Sequence, residues 1–296
     1  MEAIAAGRLR SVIMKEFLKN HFPGLIQTVK DIRQLFLYKK RKKAIAARNE
    51  AMHQTYKEQL SKFHNIHQGK RCFIVGTGPS LKLSDVDMLK DEYTFGVNSC
   101  LTMYDKTEWR ADYYGIVDSH AVEIMGDKLK TDEIPVFFYT DMDAQYDGKN
   151  GIAFPKDDSA NMMTETFWRR LFPKRFPETD FSGDITKVVY TGKSVVYAMI
   201  QIAAYMGFTE IYLLGVDCNY AQPKMYSDNV TYIDHKTKWT QERLLKNGNQ
   251  MLPQFEIAKE YAEKHGIQIY NATRGGMLET FERVDLDFVL NKAKSK

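Results

Sequence analysis

Residues 71–80, RCFIVGTGPS, restrict what this chain can fold into more than any other stretch. Cys72 to Val75 is apolar without alternation, the pattern of a parallel strand buried on both faces. Gly76 and Gly78, with Thr77 between them, sit at the carboxyl end of that strand, where the backbone turns sharply and can approach a ligand closely. Pro79 fixes its own φ and lacks a donor, which suits the entry to a helix. Ser80 then offers a hydroxyl beside the free N–H groups of a helix start, an arrangement that favours a phosphate or another anion.

The rest of the chain is consistent with such a strand. From residue 71, strand-like runs at 72–75, 94–98, 113–117, 136–139, 188–190, 210–215 and 267–270 alternate with helical patterns at 84–90, 164–172, 194–206 and 240–265. This predicts an α/β, Rossmann-like fold, a mainly parallel sheet with helices on both faces, plus a helical N-terminal extension. Ligands of such sheets bind outside the strand carboxyl ends, at a topological switch point. Residues 141–161 and 172–183, rich in Gly, Pro and charge, read as loops, a lid or an acceptor-binding insertion. Cys72, Cys100 and Cys218 lie in or beside apolar runs without paired spacing, as reduced core cysteines of a cytoplasmic protein do. No C-x-x-C pair suggests zinc, and no apolar run nears the roughly 20 residues that span a bilayer. No signal peptide is evident.

Charge sets the N-terminal part aside. Residues 1–70 carry 15 Lys and Arg against 5 Asp and Glu, whereas residues 71–296 carry 27 against 33. The expected division is a basic helical extension over 1–70 and a nucleotide-binding domain over 71–296. Apolar residues between Phe17 and Leu37 recur close to helical period, Pro23 and Gly24 break or kink the run, and Lys39-Lys40-Arg41-Lys42-Lys43 follows. An apolar face beside a basic cluster suits peripheral contact with the inner face of the cell membrane; the plainer alternative is a helix packed on the body with a solvated basic end. Nucleic acid is not an expected partner, because aromatic and basic residues are not interleaved.

Residues that could carry chemistry gather at the ends of the strand-like runs. The glycine loop is not a dinucleotide fingerprint: Leu81 stands where a third glycine belongs, and the next strand ends in Asn98 rather than an acid. Asn98 suits a base or ribose edge, or caps a turn. Asp118 is placed for a metal, a ribose or a proton, or as an N-cap; His120 beside it reads equally as a surface residue. Thr191-Gly192-Lys193-Ser194 opens a strong helix but is no P-loop, since Lys187 stands where the Walker glycine belongs. Gly192, Lys193 and Ser194 fit contact with a phosphate or leaving group, or plain capping. Gly215 and Asp217 end a second strand and point into the crevice of Gly76 and Gly78; a structural carboxylate is the competing role for Asp217. His235 is the best candidate base among seven histidines. Asn271 and Arg274 offer a clamp for phosphate or carboxylate, or form a surface turn.

FIVGTGPSL, VNS, TGKSVVYAMIQIAAYMGFTEIYLLGVD and IQIYNATRGG together resemble the MptE-like domain family, named for 6-hydroxymethylpterin diphosphokinase and found also in motility-accessory-factor glycosyltransferases. The likeness covers roughly residues 71–290, and more distantly the segments resemble bacterial lipooligosaccharide sialyltransferases that use CMP-sialic acid. That resemblance implies a CMP-binding role for Gly76, Gly78, Ser80, Asn98 and Ser194, and a site role for Asp217. It places the catalytic histidine near Asn249, and two tyrosines that assist the departing phosphate near Asn219 and Tyr226, of which Tyr226 matches.

The expected function is therefore a glycosyltransferase of surface-polysaccharide or glycoconjugate assembly, taking a nucleotide sugar, preferably a CMP-linked acidic sugar, and a glycan acceptor. His235, Asp217 and Tyr226 form its expected catalytic set, with no firm cofactor. The alternatives are a diphosphokinase that moves pyrophosphate from ATP to a pterin alcohol, with Mg²⁺ on Asp118 or Asp217, and a non-catalytic nucleotide-binding protein. A homo-oligomer is compatible with each.

Overall fold

The computed structural model describes residues 21–117, 119–131, 133–139, 146–163, 166–177, 179–220, 226–230 and 241–294. The chain divides into two compact units: Met1–Ala44 with Ser159–Glu178, and Ile45–Asp158 with Thr179–Lys296. The boundary differs from the expected 70/71. Residues 45–70 belong with the sheet because Tyr56 and Leu60 are wholly buried in its core.

The larger unit is an eight-stranded, all-parallel sheet surrounded by helices. In chain order its strands are β1 (Arg71–Val75), β2 (Tyr93–Val97), β3 (Tyr113–Ile116), β4 (Val136–Tyr139), β5 (Gly151–Phe154), β8 (Glu210–Leu214), β9 (Gln268–Asn271) and β10 (Glu282–Arg283), and β6 (Lys156–Asp157) pairs with β7 (Val189–Tyr190) in a separate ribbon. The sheet order is β10-β9-β8-β1-β2-β3-β4-β5. β3-β2-β1-β8-β9-β10 is thus the doubly wound order, extended by β4 and β5. β1 is buried from Cys72 to Val75, as an apolar run without alternation requires. β5 and β6 occupy a stretch expected to be loop, and the 188–190 run joins the ribbon rather than the main sheet. β5 and β6 are short, and β6 shares only two residue pairs with β7, so neither was announced as a strand.

Helices α2 (His53–Leu60), α3 (Leu83–Asp87), α4 (Ser119–Thr131), α6 (Val195–Tyr205), α7 (Gln241–Lys264) and α8 (Leu286–Lys294) belong to this unit. α6 is apolar all round and buried from Val195 to Ala203, the signature of a helix enclosed by core. It packs across β1, β2 and β3, and Met199 lies where a side chain on Gly115 would stand: a Cβ there would meet Met199 Cγ at 2.8 Å.

In the smaller unit, α1 (Pro23–Ala51) begins with proline at its first position, where the missing N–H costs nothing, after an interruption at Phe22. The helix carries on past Ala44 into the larger unit. α5 (Phe167–Leu171) is capped by Thr166. Its start is held by Asp31 of α1, whose Oδ2 accepts from the Phe167 amide at 2.9 Å while its carbonyl accepts from Trp168 Nε1 at 3.1 Å.

Candidate functional site

The chain leaves β1 towards β5 on one side of the sheet, then returns to build β8 to β10 on the other. β1 and β8 are therefore the neighbours at the switch point, the place outside the strand carboxyl ends where ligands of such sheets bind. Their two loops stay paired past the strands: the Gly76 amide donates to Leu214 O at 2.7 Å and the Gly78 amide to Gly215 O at 2.8 Å. Gly78 has no room for a side chain, since a Cβ would lie 2.7 Å from both Asp217 Cγ and Gly215 O. The tips of β1 and β8 thus converge as the sequence suggests.

What they hold differs from the expectation. Ser80 Oγ donates to Asp217 Oδ2 at 2.8 Å, and the Ser80 amide bonds to the same carboxyl group. The Gly76 and Gly78 amides and both Ser80 donors are engaged by Leu214, Gly215 and Asp217, so the protein's own carboxyl group takes up this part of the loop. α3 is likewise served internally: Asp85 accepts from the Lys82 amide at 3.0 Å at its start. Asp217 is buried, and burial raises its pKa above the usual range, opposed by the hydrogen bonds from Ser80. Asp217 therefore holds the loop through Ser80, as the structural carboxylate that was its competing role.

Two further candidates are committed inside the fold. Asn271 is fully buried: its Nδ2 donates to Leu278 O at 2.7 Å and its Oδ1 accepts from the Thr273 amide at 3.0 Å. Arg274 pairs with the buried Asp85 carboxylate, tying the loop after β9 to α3.

Other groups gather around the crevice. Cys100 Sγ donates to Val75 O at 3.1 Å and fixes the short 3₁₀ helix Asn98–Met103 against the end of β1. Asn98 takes a left-handed φ of 46°, and its carbonyl accepts from the Tyr114 hydroxyl. Its Oδ1 and the hydroxyl of the next residue, Ser99, are buried without a hydrogen-bond partner. Nothing in the sequence marked Ser99; only the register of this helix buries its hydroxyl. Above the glycine loop, the Ser227 amide donates to Thr77 O at 3.0 Å and Ser227 Oγ to Leu81 O at 2.8 Å, which sets Tyr226 beside it.

The third element is the start of α6. Gly192 and Lys193 are both left-handed, at φ 51° and 58°, in a turn closed by the Ser194 amide on Thr191 O at 2.9 Å. Ser194 then caps α6, accepting from the Val196 amide at 3.2 Å, and Lys193 Nζ bonds Gln250 of α7. Val97 of β2 is registered with Gly115 of β3, against which Met199 packs. α6 leads to the amino end of β8, so Ser194, five residues earlier, lies about 7.5 Å nearer the carboxyl edge. Left-handed backbone at Asn98, Lys193 and Cys218 clusters on this edge, and such strain collects at binding sites.

Asp118 and His235 lie outside the described residues. Asn249 is an exposed residue of α7. Among the described residues no cluster of three metal-ligating side chains occurs. A hollow at the opposite edge, lined by Glu210, Glu263 and Gln268, carries carboxylates and is unsuited to an anion.

Residues 47–223 match the family model described as 6-hydroxymethylpterin diphosphokinase MptE-like. No curated protein sequence matches the chain. Among solved structures it is similar to the MAf glycosyltransferase from Magnetospirillum magneticum AMB-1, at 14% identity and a TM-score of 0.46, over 80% of this chain and 39% of that one.

Proposed function

We propose that this chain, which belongs to the MptE-like family, is a transferase that takes a nucleotide-activated donor at the carboxyl edge between β1, β2 and α6, and that it transfers a sugar from a CMP-linked acidic donor to a surface-glycan acceptor. The observation that carries the nucleotide reading is the pair of buried, unpartnered oxygens, Asn98 Oδ1 and Ser99 Oγ. Buried polar atoms are nearly always hydrogen-bonded, so an orphaned pair beside a switch-point crevice calls for a polar ligand. An acceptor such as Asn98 Oδ1 fits a base with an exocyclic amino group, as in cytosine or adenine.

In this reading the acceptor hydroxyl oxygen attacks the anomeric carbon, and the bond from that carbon to the phosphate oxygen breaks. CMP leaves with the bonding electrons. The first-turn N–H groups of α6 and the Lys193 ammonium stabilise the developing charge, and Tyr226 donates to the departing phosphate. His235 takes the acceptor proton.

The family description favours a second reading, pyrophosphate transfer from ATP to a pterin alcohol. It needs a metal held by Asp118 or Asp217. Thermal shifts with CMP, UMP, GDP and ATP, with and without Mg²⁺, separate the two. A CMP shift without metal that exceeds the UMP shift supports the first. An ATP shift that requires Mg²⁺ selects the second, and no shift with any nucleotide overturns both.

A further inference from the structure

α1 is packed the wrong way round for a helix in water. On its protected side lie Asp31, Gln34, Tyr38 and Arg41, with Leu35 among them. On the opposite side Phe22, Leu25, Val29, Ile32 and Phe36 stand 50–68% exposed. At about 100° per residue these five fall within an arc of about 80°. The second segment of the same unit repeats the inversion. It buries the charged Arg169, which donates to the carbonyls of Ala160, Phe176 and Pro177, together with Met163 and Phe176. Phe167, Leu171 and Phe172 are about half exposed. An exposed apolar surface of this extent marks an interaction site.

Charge identifies the occupant. The apolar line of α1 continues on the same side into Lys39, Lys40 and Lys43, with Arg33 at its flank, all exposed. Residues 21–44 and 159–178 together hold 11 Lys and Arg against 3 Asp and Glu. The 3-4-3-4 spacing would also suit a coiled-coil seam, but a second copy in parallel register would set Lys39 against Lys39 and Lys43 against Lys43. Among the described residues no helix is long and apolar enough to cross a membrane. We propose that this unit docks in the plane of an anionic lipid bilayer, with the α1 stripe and the Phe167–Phe172 segment in the headgroup region and the lysines on the lipid phosphates. The proposal extends the contact to residues 159–178 and is independent of the donor reading.

The test is flotation of the full chain with vesicles of phosphatidylcholine alone and of phosphatidylcholine with phosphatidylglycerol. Binding is expected to the anionic vesicles only, and to weaken as salt is raised. Ile32→Glu with Phe36→Glu should lower partitioning about tenfold or more, and Phe167→Ser with Leu171→Ser should lower it separately. All four side chains are exposed, so circular dichroism and melting should stay as in the wild type. Absent binding to anionic vesicles, or binding unchanged in both variants, overturns the proposal. A dimer in sedimentation velocity that the α1 variant dissociates, without lipid binding, assigns the face to a second copy.

Discussion

Replacing Asp217 separates a carboxyl group that holds a loop from one that does chemistry. Asp217→Ala removes the acceptor of Ser80 Oγ, 2.8 Å away, and of the Ser80 amide. A hydrogen bond to a carboxylate contributes about 1.5–3 kcal/mol, and a stranded buried donor adds about 1 kcal/mol more. The expected loss is about 2–4 kcal/mol, a fall in melting temperature of about 4–12 °C for a body of this size. Asp217→Asn keeps an acceptor for Ser80 in the same shape and should cost about 1 kcal/mol or less at neutral pH. The pH dependence has a definite sign. Burial raises the folded-state pKa above the unfolded value, so the folded state holds the extra proton. The contribution of Asp217 is then fully present below the ordinary carboxylate range and declines as pH rises through the raised value. Asparagine does not titrate, so the wild type's advantage over Asp217→Asn should shrink between about pH 4 and neutrality. Urea unfolding of the three proteins at two pH values measures this. Asp217→Ala within about 0.5 kcal/mol of the wild type, or a wild-type advantage that grows with pH, would refute the assignment.

Gly78→Ala should cost about 1–3 kcal/mol through the approach of its Cβ to Asp217, and less in an Asp217→Ala background; equal costs in a double-mutant cycle would place the conflict elsewhere. Ser194→Ala should lower stability by about 1 kcal/mol through loss of the α6 cap and weaken nucleotide binding, with calorimetry at unchanged affinity removing the α6 start from the site. Arg274→Met strands the buried Asp85 carboxylate, and should destabilise by about 1–3 kcal/mol while leaving nucleotide affinity unaltered; the reverse outcome restores a clamp role.

The scaffold was legible in the chain because it rests on local patterns. Parallel strands enclosed on both faces read as unbroken apolar runs, which located β1 and β8, and an all-apolar helix behind a Ser cap located α6. The paired glycines located the close approach of two strand tips. Partner choice was not local. Ser80 bonds a carboxyl group 137 positions away, and Arg274 one 189 positions away, so only the folded sheet brings the glycine loop to Asp217 and Arg274 to Asp85. Burial was decided the same way. The residues Asn98 and Ser99 are polar in any context, but the packing of the 3₁₀ helix on β1 leaves their oxygens unpartnered. The α1 stripe was visible as a helical period, yet its outward direction follows from which side Asp31 and Tyr38 occupy, because periodicity gives a helix a face but not the side on which the protein lies.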